Sequence, residues 1–356
     1  MDKTAIHGFL GKIHEIHRAM QELRKKYGMD ITLRSYLAKN FNGLTPDHLY
    51  NELDIDPRVM TVENLLTSDD DTRWLVPEVI RDAIRIGYTE EPIWPYLIIA
   101  DEPIGQPSVR APKIEISENA IEEVAEGATI PKGAITYSDK TVNTVKRGVG
   151  IDVTYEVIRF TSLNLLNIYL QDVGVRLGAQ VTAQAIDTLI NGDQDDGSEA
   201  AAVIGVDDTE EGLVYKDLLR AWVRMSRVQS LPDSILAPED ICLLLLQMEE
   251  FKKRYQGQSD LTARLMRPLP SEQNIFPTSS VPASKLLMNS KSRSMVKVTV
   301  EPLMVEADKI IARQITETVA STIFAFVTLH RVGRVILDTT VAYSGNGWPT
   351  WFAPIE

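Results

Sequence analysis

The sequence predicts an α+β fold strung along one long helix. Three stretches carry that expectation. Residues 162–192 repeat apolar side chains at helical spacing. Residues 113–159, and parts of 297–342, alternate apolar and polar side chains as strands do. Between residues 92 and 112, Pro92, Pro95, Pro103, Pro107 and Pro112 crowd together. Each proline fixes φ and removes a donor, so this segment can be neither a central strand nor a long helix.

In the long helix, Leu163, Leu166, Leu170, Val173, Leu177, Val181, Ala185 and Leu189 share one stripe. Asn164, Gln171, Asp172, Gln180, Gln184 and Asp187 break up the other faces. Ser162 suits the N-cap, with Thr161 beside it. Asn191-Gly192 is a stop, since either residue takes the left-handed conformation that ends a helix. Such a rod is on the order of 43 Å long. Ordinary helices are nearer 10–14 residues, so this one reads as a backbone on which other elements lie.

The 356 residues are 44% hydrophobic and 24% charged, enough for one large core or two domains. A net charge of -13 disfavours a wide basic surface for phosphate and tight binding of nucleic acid. The one cysteine, Cys242, excludes a disulfide framework within the chain and points to a reducing compartment. Lys12, His14, Glu15 and His17 interrupt the N-terminal apolar positions, so no secretory signal is read there. No apolar run reaches the roughly 18 residues that a membrane span needs.

Residues 1–28 read as an amphipathic helix ended by Gly28, with Ile6, Leu10, Ile13, Ile16 or His17, Met20 and Leu23 or Arg24 on its stripe. Residues 29–72 are helical fragments broken at Asn42-Gly43, Thr45-Pro46 and Asp56-Pro57. Ser68 to Asp71 form an acidic loop. RWLVPEVIRDAIRIGY then gives an extended start, a proline and a short helix. The proline-rich arm that follows bears Trp94, Tyr96, Leu97, Ile98 and Ile99, which must lie on something, either the same chain or a neighbour. The strand block 113–159 opens with Glu115, Glu118, Glu122, Glu123 and Glu126; Lys132, Lys140, Lys146 and Arg147 follow. It reads as a two-stranded hairpin. A long hairpin is not stable alone in water, so it needs a surface to lie on. Residues 192–212 read as an acidic loop region. A helix follows with Leu213, Leu218, Leu219, Trp222 and Val223 inward. SILAPED reads as a strand leading into a proline-initiated helix, and 256–285 as loops and short strands. Lys297–Val305 is a strand or a pair split by Pro302. The last stretch, 307–345, reads as mostly strand with some helix.

Catalytic patterns are missing. His14 and His17 sit three apart on a helix, but the pattern is not HExxH and no third ligand is indicated. Asp193, Asp195, Asp196 and Gly197 suggest a calcium loop. The glycine falls one place early, however, and Ile204 stands where the closing glutamate belongs, so a solvated turn is the better account. Cys242 lies in an apolar run without basic neighbours and reads as a buried, inert thiol. No nucleophile elbow, phosphate loop or dinucleotide fingerprint occurs. The expectation is a structural protein with no enzyme activity, cofactor or metal. An enzyme with an unrecognised site, and a small-oligomer adaptor using helix 1–28 as a coiled coil, are the other classes.

The order of parts resembles the major capsid proteins of tailed bacteriophages, the HK97-like shell fold. DDDTRWLVPEVIRDAI resembles the family's LVP-x-x-I lead into its N-terminal arm. EVAEGATIPKGAITYSDKTVNTVKRGVGIDVTYEVIRFT resembles its extended E-loop and returning strand. SLNLLNIYLQDVGVRLGAQVTAQAIDTLINGD resembles its spine helix, ending in D-x-x-x-I-N-G-D at Asp187 to Asp193. The resemblance covers residues 73–350 and rests on the order of elements more than on any one motif.

It implies a helical extension (1–72), an N-arm (73–112), an E-loop and returning strand (113–159), a spine helix and peripheral domain (160–204), an axial domain (205–290) and a return to the peripheral domain (291–356). Trp94 and Tyr96 of the arm, and Glu126, Lys132 and Lys140 of the E-loop, would touch neighbouring subunits. The implied assembly is a homo-oligomer of hexamers and pentamers, forming an icosahedral or prolate head. The head would enclose double-stranded DNA without sequence-specific binding, with a portal protein and possible scaffolding or decoration proteins as partners and no membrane. It would be made in the cytoplasm of a bacterial host and reside in the virion. The extension 1–72 is expected to be retained and to pack on the shell. An encapsulin-like nanocompartment around cargo enzymes is the alternative within the fold.

Overall fold

The structure, a computed structural model, describes residues 16, 18–20, 22–23, 31–41, 43–52, 55–61, 75–90, 92–104, 108–115, 134–193, 199–210, 212–252, 269, 273–310, 315–345, 348–349 and 352. The chain divides into two compact units: Met1–Pro95 with Lys146–Ala183 and Glu301–Ile323, and Tyr96–Val145 with Gln184–Val300 and Phe324–Glu356.

The first unit combines helices with strand residues 146–154, 301–310 and 315–323. Helix α1 (Leu33–Asn40) begins at a capping box: the Thr32 hydroxyl accepts from the Ser35 amide and the Ser35 hydroxyl from the Thr32 amide, each at 3.1 Å. Helix α2 (Pro46–Glu52) follows a turn at Gly43, whose φ is +83°. Helix α3 spans Leu75–Thr89. It starts earlier than the extended lead expected before Pro77, because a proline in the first turn gives up an amide that has no intrahelical acceptor anyway. After the short α4 (Tyr155–Phe160), the long helix α5 runs over Leu163–Asn191, 29 residues, as its apolar repeat predicts. The Ser162 hydroxyl accepts from the Leu165 amide at its start. Leu33, Leu37, Leu49, Val79, Ile80 and Ile84 form one core with Leu163, Leu166, Leu170 and Leu177. Ile16 and Met20, from the N-terminal stripe, are buried in it too. Ile6, Leu10 and Ile13 lie outside the described residues. Val173 is only half-buried; Gly174 takes the inward position beside it. There the backbones of α3 and α5 meet. A Cβ on Gly87 would lie 2.0 Å from the Gln171 carbonyl oxygen, and one on Gly174 2.1 Å from that of Ile84.

The second unit holds a five-stranded sheet in the order β5-β11-β8-β6-β7. Its strands are β5 (Ala202–Val206), β6 (Ser234–Ala237), β7 (Asn274–Pro277), β8 (Lys285–Asn289) and β11 (Arg334–Ala342). β5 corrects the expected loop at 192–212. Its short apolar run, AVIGV, is masked by acidic flanks in the sequence but pairs parallel to β11 from Ala202↔Val335 to Gly205↔Asp338. Helix α6 (Tyr215–Arg227) buries Leu218, Ala221 and Met225. Val223, expected inward, is exposed, because the three-and-four step runs through Ala221 instead. Helices α7 (Glu239–Gln247) and α8 (Glu249–Lys252) split at Met248, where the backbone turns extended.

A four-stranded sheet has the order β1-β9-β10-β4: β1 (Asp101–Pro103), β4 (Val145–Thr154), β9 (Met295–Ile310) and β10 (Ile315–Thr328). Pro302 does not split β9. The Thr322 hydroxyl donates to the adjacent Glu301 carbonyl at 3.0 Å and supplies a bond beside the amide that proline lacks. From residue 315 to 345 the structure is strand with one 3-10 turn, Arg331–Gly333, so the expected admixture of helix shrinks to that turn.

Candidate assembly surfaces

Strands β2 (Ser108–Glu115) and β3 (Ala134–Asn143) form a sheet of their own, paired antiparallel from Ser108↔Asn143 to Glu115↔Ala134. The hairpin begins earlier than residue 113, inside the proline-rich arm. Pro112 fits a two-stranded ribbon, where one side of each strand is an edge. The register slips between Arg110↔Thr141 and Pro112↔Tyr137. A bulge of this kind bends and twists a ribbon. Two strands alone bury too little to hold themselves.

The arm before it is partly tied down. Leu97 and Ile98 are buried, whereas Tyr96 and Ile99 are exposed. Strand β1 lies parallel to β9, with Asp101 opposite Lys297. The Asp101 carboxylate accepts from Lys297 Nζ at 2.7 Å and from the Thr299 hydroxyl at 2.5 Å. Burial holds the Lys297 ammonium below its ordinary pKa, and the Asp101 pair opposes that shift. Thus the arm wraps its own chain through residues 97–103 and presents Tyr96 outward.

The end of α5 explains the D-x-x-x-I-N-G-D pattern. The Asn191 side chain donates to Asp187 at 2.7 Å, and Gly192 turns left-handed at φ +85°. Asp193 then accepts from the Thr328 amide at 2.8 Å. Arg334, fully buried, donates to the Thr188 carbonyl at 3.0 Å and to that of Glu199. A cation here faces the negative end of the helix. Burial pulls its pKa down to about 10, against the acids Glu199 and Asp193. Sequence reasoning missed Arg334, which looks like any surface arginine in HRVGRVILD.

A second surface was also missed. Leu165, Ile168, Tyr169 and Val175 project outward from the first half of α5, and Phe160 just before it is 79% exposed. The signal was available: these apolar residues fall between the positions of the core stripe. An exposed apolar row of this kind marks a contact surface.

No protein-family model matches the chain, and no curated protein does. Among solved structures, a phage-related protein from Bordetella bronchiseptica is similar at 9% identity and a TM-score of 0.50, covering 75% of this chain and 96% of that one. The fold is HK97-like. A virus-like particle from Pyrococcus furiosus (13% identity, TM-score 0.48, 73% and 98% covered) and the SrpI encapsulin complex from Synechococcus elongatus (13%, 0.47, 72% and 91%) are similar at lower scores.

On this HK97-like fold the residues named from sequence do not converge on one site. Trp94 and Tyr96 lie on a 3-10 turn, Trp94–Tyr96, with the Tyr96 ring 5.4 Å from that of Phe276. Lys140 lies in β3, while Glu126 and Lys132 fall outside the described residues. So do His14, His17, Asp195, Asp196 and Gly197. Cys242 is buried, its thiol donates to the Ala237 carbonyl at 3.4 Å, and burial raises its pKa. A thiol held protonated in this way is a poor nucleophile. Among the described residues no cluster of histidine, cysteine and carboxylate side chains is arranged for a metal, and no helix is long and apolar enough to cross a membrane.

Proposed function

We propose that this chain is the major shell protein of a tailed-phage head, assembling as hexamers and pentamers around double-stranded DNA. The observation that carries the reading is the β2–β3 ribbon, a separate two-stranded sheet on an HK97-like fold. Its backbone edges and its marginal stability call for a neighbouring subunit. In this reading residues 113–159 are the E-loop and returning strand, 73–112 the N-arm, and α5 the spine. Residues 205–290 form the axial domain around the capsomer centres. Glu126, Lys132, Lys140, Trp94 and Tyr96 meet neighbouring copies. Residues 1–72 stay attached; Leu33, Leu37 and Leu49 already belong to the core shared with α5. The acidic balance keeps the enclosed DNA free of tight, sequence-specific contact. A portal protein closes one vertex, with scaffolding or decoration proteins as further partners, and the product resides in the virion.

The test is the content of particles purified from cells that make this protein naturally. Nuclease-protected double-stranded DNA is the expected finding. Particles holding a cargo enzyme and no DNA would replace the phage head by an encapsulin-like compartment.

A further inference from the structure

Helix α6 carries a row of cations at odds with the acidity of the chain. Lys216, Arg220, Arg224 and Arg227 follow at steps of four, four and three, so they share one helix face. They border a groove of about 680 Å³. Leu219 and the exposed Val223 give the groove an apolar floor. Tyr343 and Trp348 line it as well. The Arg220 guanidinium lies 4.0 Å from the centre of the Tyr343 ring, and that of Arg224 lies 5.2 Å from the Trp348 ring. Stacking of this kind holds both side chains extended.

The charges are only half balanced. Asp207 pairs with Lys216 at 2.6 Å and also with Arg220, and Asp217 pairs with Arg220 at 2.9 Å. Arg224 and Arg227 face no acid among the described residues; Arg224 donates only to the Phe352 carbonyl, at 3.5 Å. Two unbalanced guanidinia over an apolar floor suit a peptide with carboxylates on one side and aliphatic groups on the other. A single-stranded nucleic acid would want open ring faces for its bases, and Arg220 and Arg224 already occupy those of Tyr343 and Trp348.

A segment of that chemistry follows the first strand of the ribbon. Residues 115–127, EISENAIEEVAEG, join β2 towards β3. Glu118, Glu122 and Glu126 recur at every fourth position, with Ile121 and Val124 between them. We propose that this acidic segment docks in the α6 groove of a second copy of the chain, with its glutamates on Arg224 and Arg227 and its aliphatic residues on Leu219 and Val223. The inference rests on the shell reading, which supplies the second copy; charge complementarity, together with the position of the segment between the ribbon strands, selects the occupant.

The test uses the full chain carrying Val223→Cys and Glu122→Cys together; the native Cys242 is buried and stays in place. Sizing of the unsubstituted chain, alone and with the gene products that accompany it, comes first and checks assembly by itself; a chain that assembles under neither condition overturns the shell reading and the docking with it. In assembled material, mild oxidation should join copies into a covalent ladder that neither single variant gives. Arg224→Glu with Arg227→Glu should cut the ladder at least tenfold, and Glu118→Lys with Glu126→Lys should then restore it. Assembled particles without a ladder, a link confined within one chain, or a ladder indifferent to the charge reversal would each overturn the docking. So would an unchanged ladder accompanied by loss of bound nucleic acid, which would make the groove a nucleic-acid surface.

Discussion

At the scale of single residues, one half-buried and one fully buried charge set the most direct tests. Asp82 of α3 reaches the first turn of α1, where it accepts from the Arg34 amide at 3.2 Å. Burial raises its pKa from 3.8 to about 6 and Glu78 adds to the rise; the Arg34 amide, the Arg34 charge and Thr32 oppose it. Because the folded value lies above the unfolded one, the stability Asp82 contributes is fully present below about pH 4 and is lost as pH rises through 6. Lowering the pH from 7 to 5 should therefore recover roughly 1 kcal/mol from this group. In Asp82→Asn that part of the pH dependence of unfolding should vanish; an identical profile in the variant would contradict the assignment. Arg334 is the other case. Arg334→Met keeps most of the volume but leaves the Thr188 and Glu199 carbonyls without their donor. Denaturant unfolding should show a loss of about 3 kcal/mol, and a loss below about 0.5 kcal/mol would mean that the clamp contributes nothing.

At the scale of elements, the contact between α3 and α5 is the tightest joint. Gly174→Val should cost about 3 kcal/mol or abolish folding, since its side chain would collide with the Ile84 carbonyl rather than with a side chain that can move. Leu165→Ala on the exposed side of the same helix should stay within about 0.5 kcal/mol. Comparing the two by thermal unfolding checks which face is inside. Helix α5 was legible from sequence because its stripe spans eight turns, so one misplaced position, Val173 for Gly174, did not disturb the reading. β5 was not legible, because five residues carry no decisive period and its partner β11 lies far along the chain. The extent of β9 was misjudged for another reason: proline breaks most ladders, and the Thr322 hydroxyl beside Pro302 can be found only in three dimensions. The assembly surfaces were half legible. The need of a lone hairpin for a partner follows from its length, whereas the cation row on α6 was hidden by reading that helix only for its apolar side.

At the scale of the whole molecule, a two-stranded ribbon and an exposed apolar row on α5 are the features that neighbouring copies would cover in the proposed shell. Removing residues 127–133 should leave a soluble, folded chain that no longer forms closed particles, as read by circular dichroism and particle sizing; normal shells from the deletion would remove the ribbon from assembly. The central claim is a shell role, and it is tested most directly by negative-stain microscopy of size-fractionated protein, expressed alone and with the gene products that accompany it. Closed icosahedral or prolate particles, or rings of five and six, are the expected result. A monodisperse small oligomer under both conditions would contradict it.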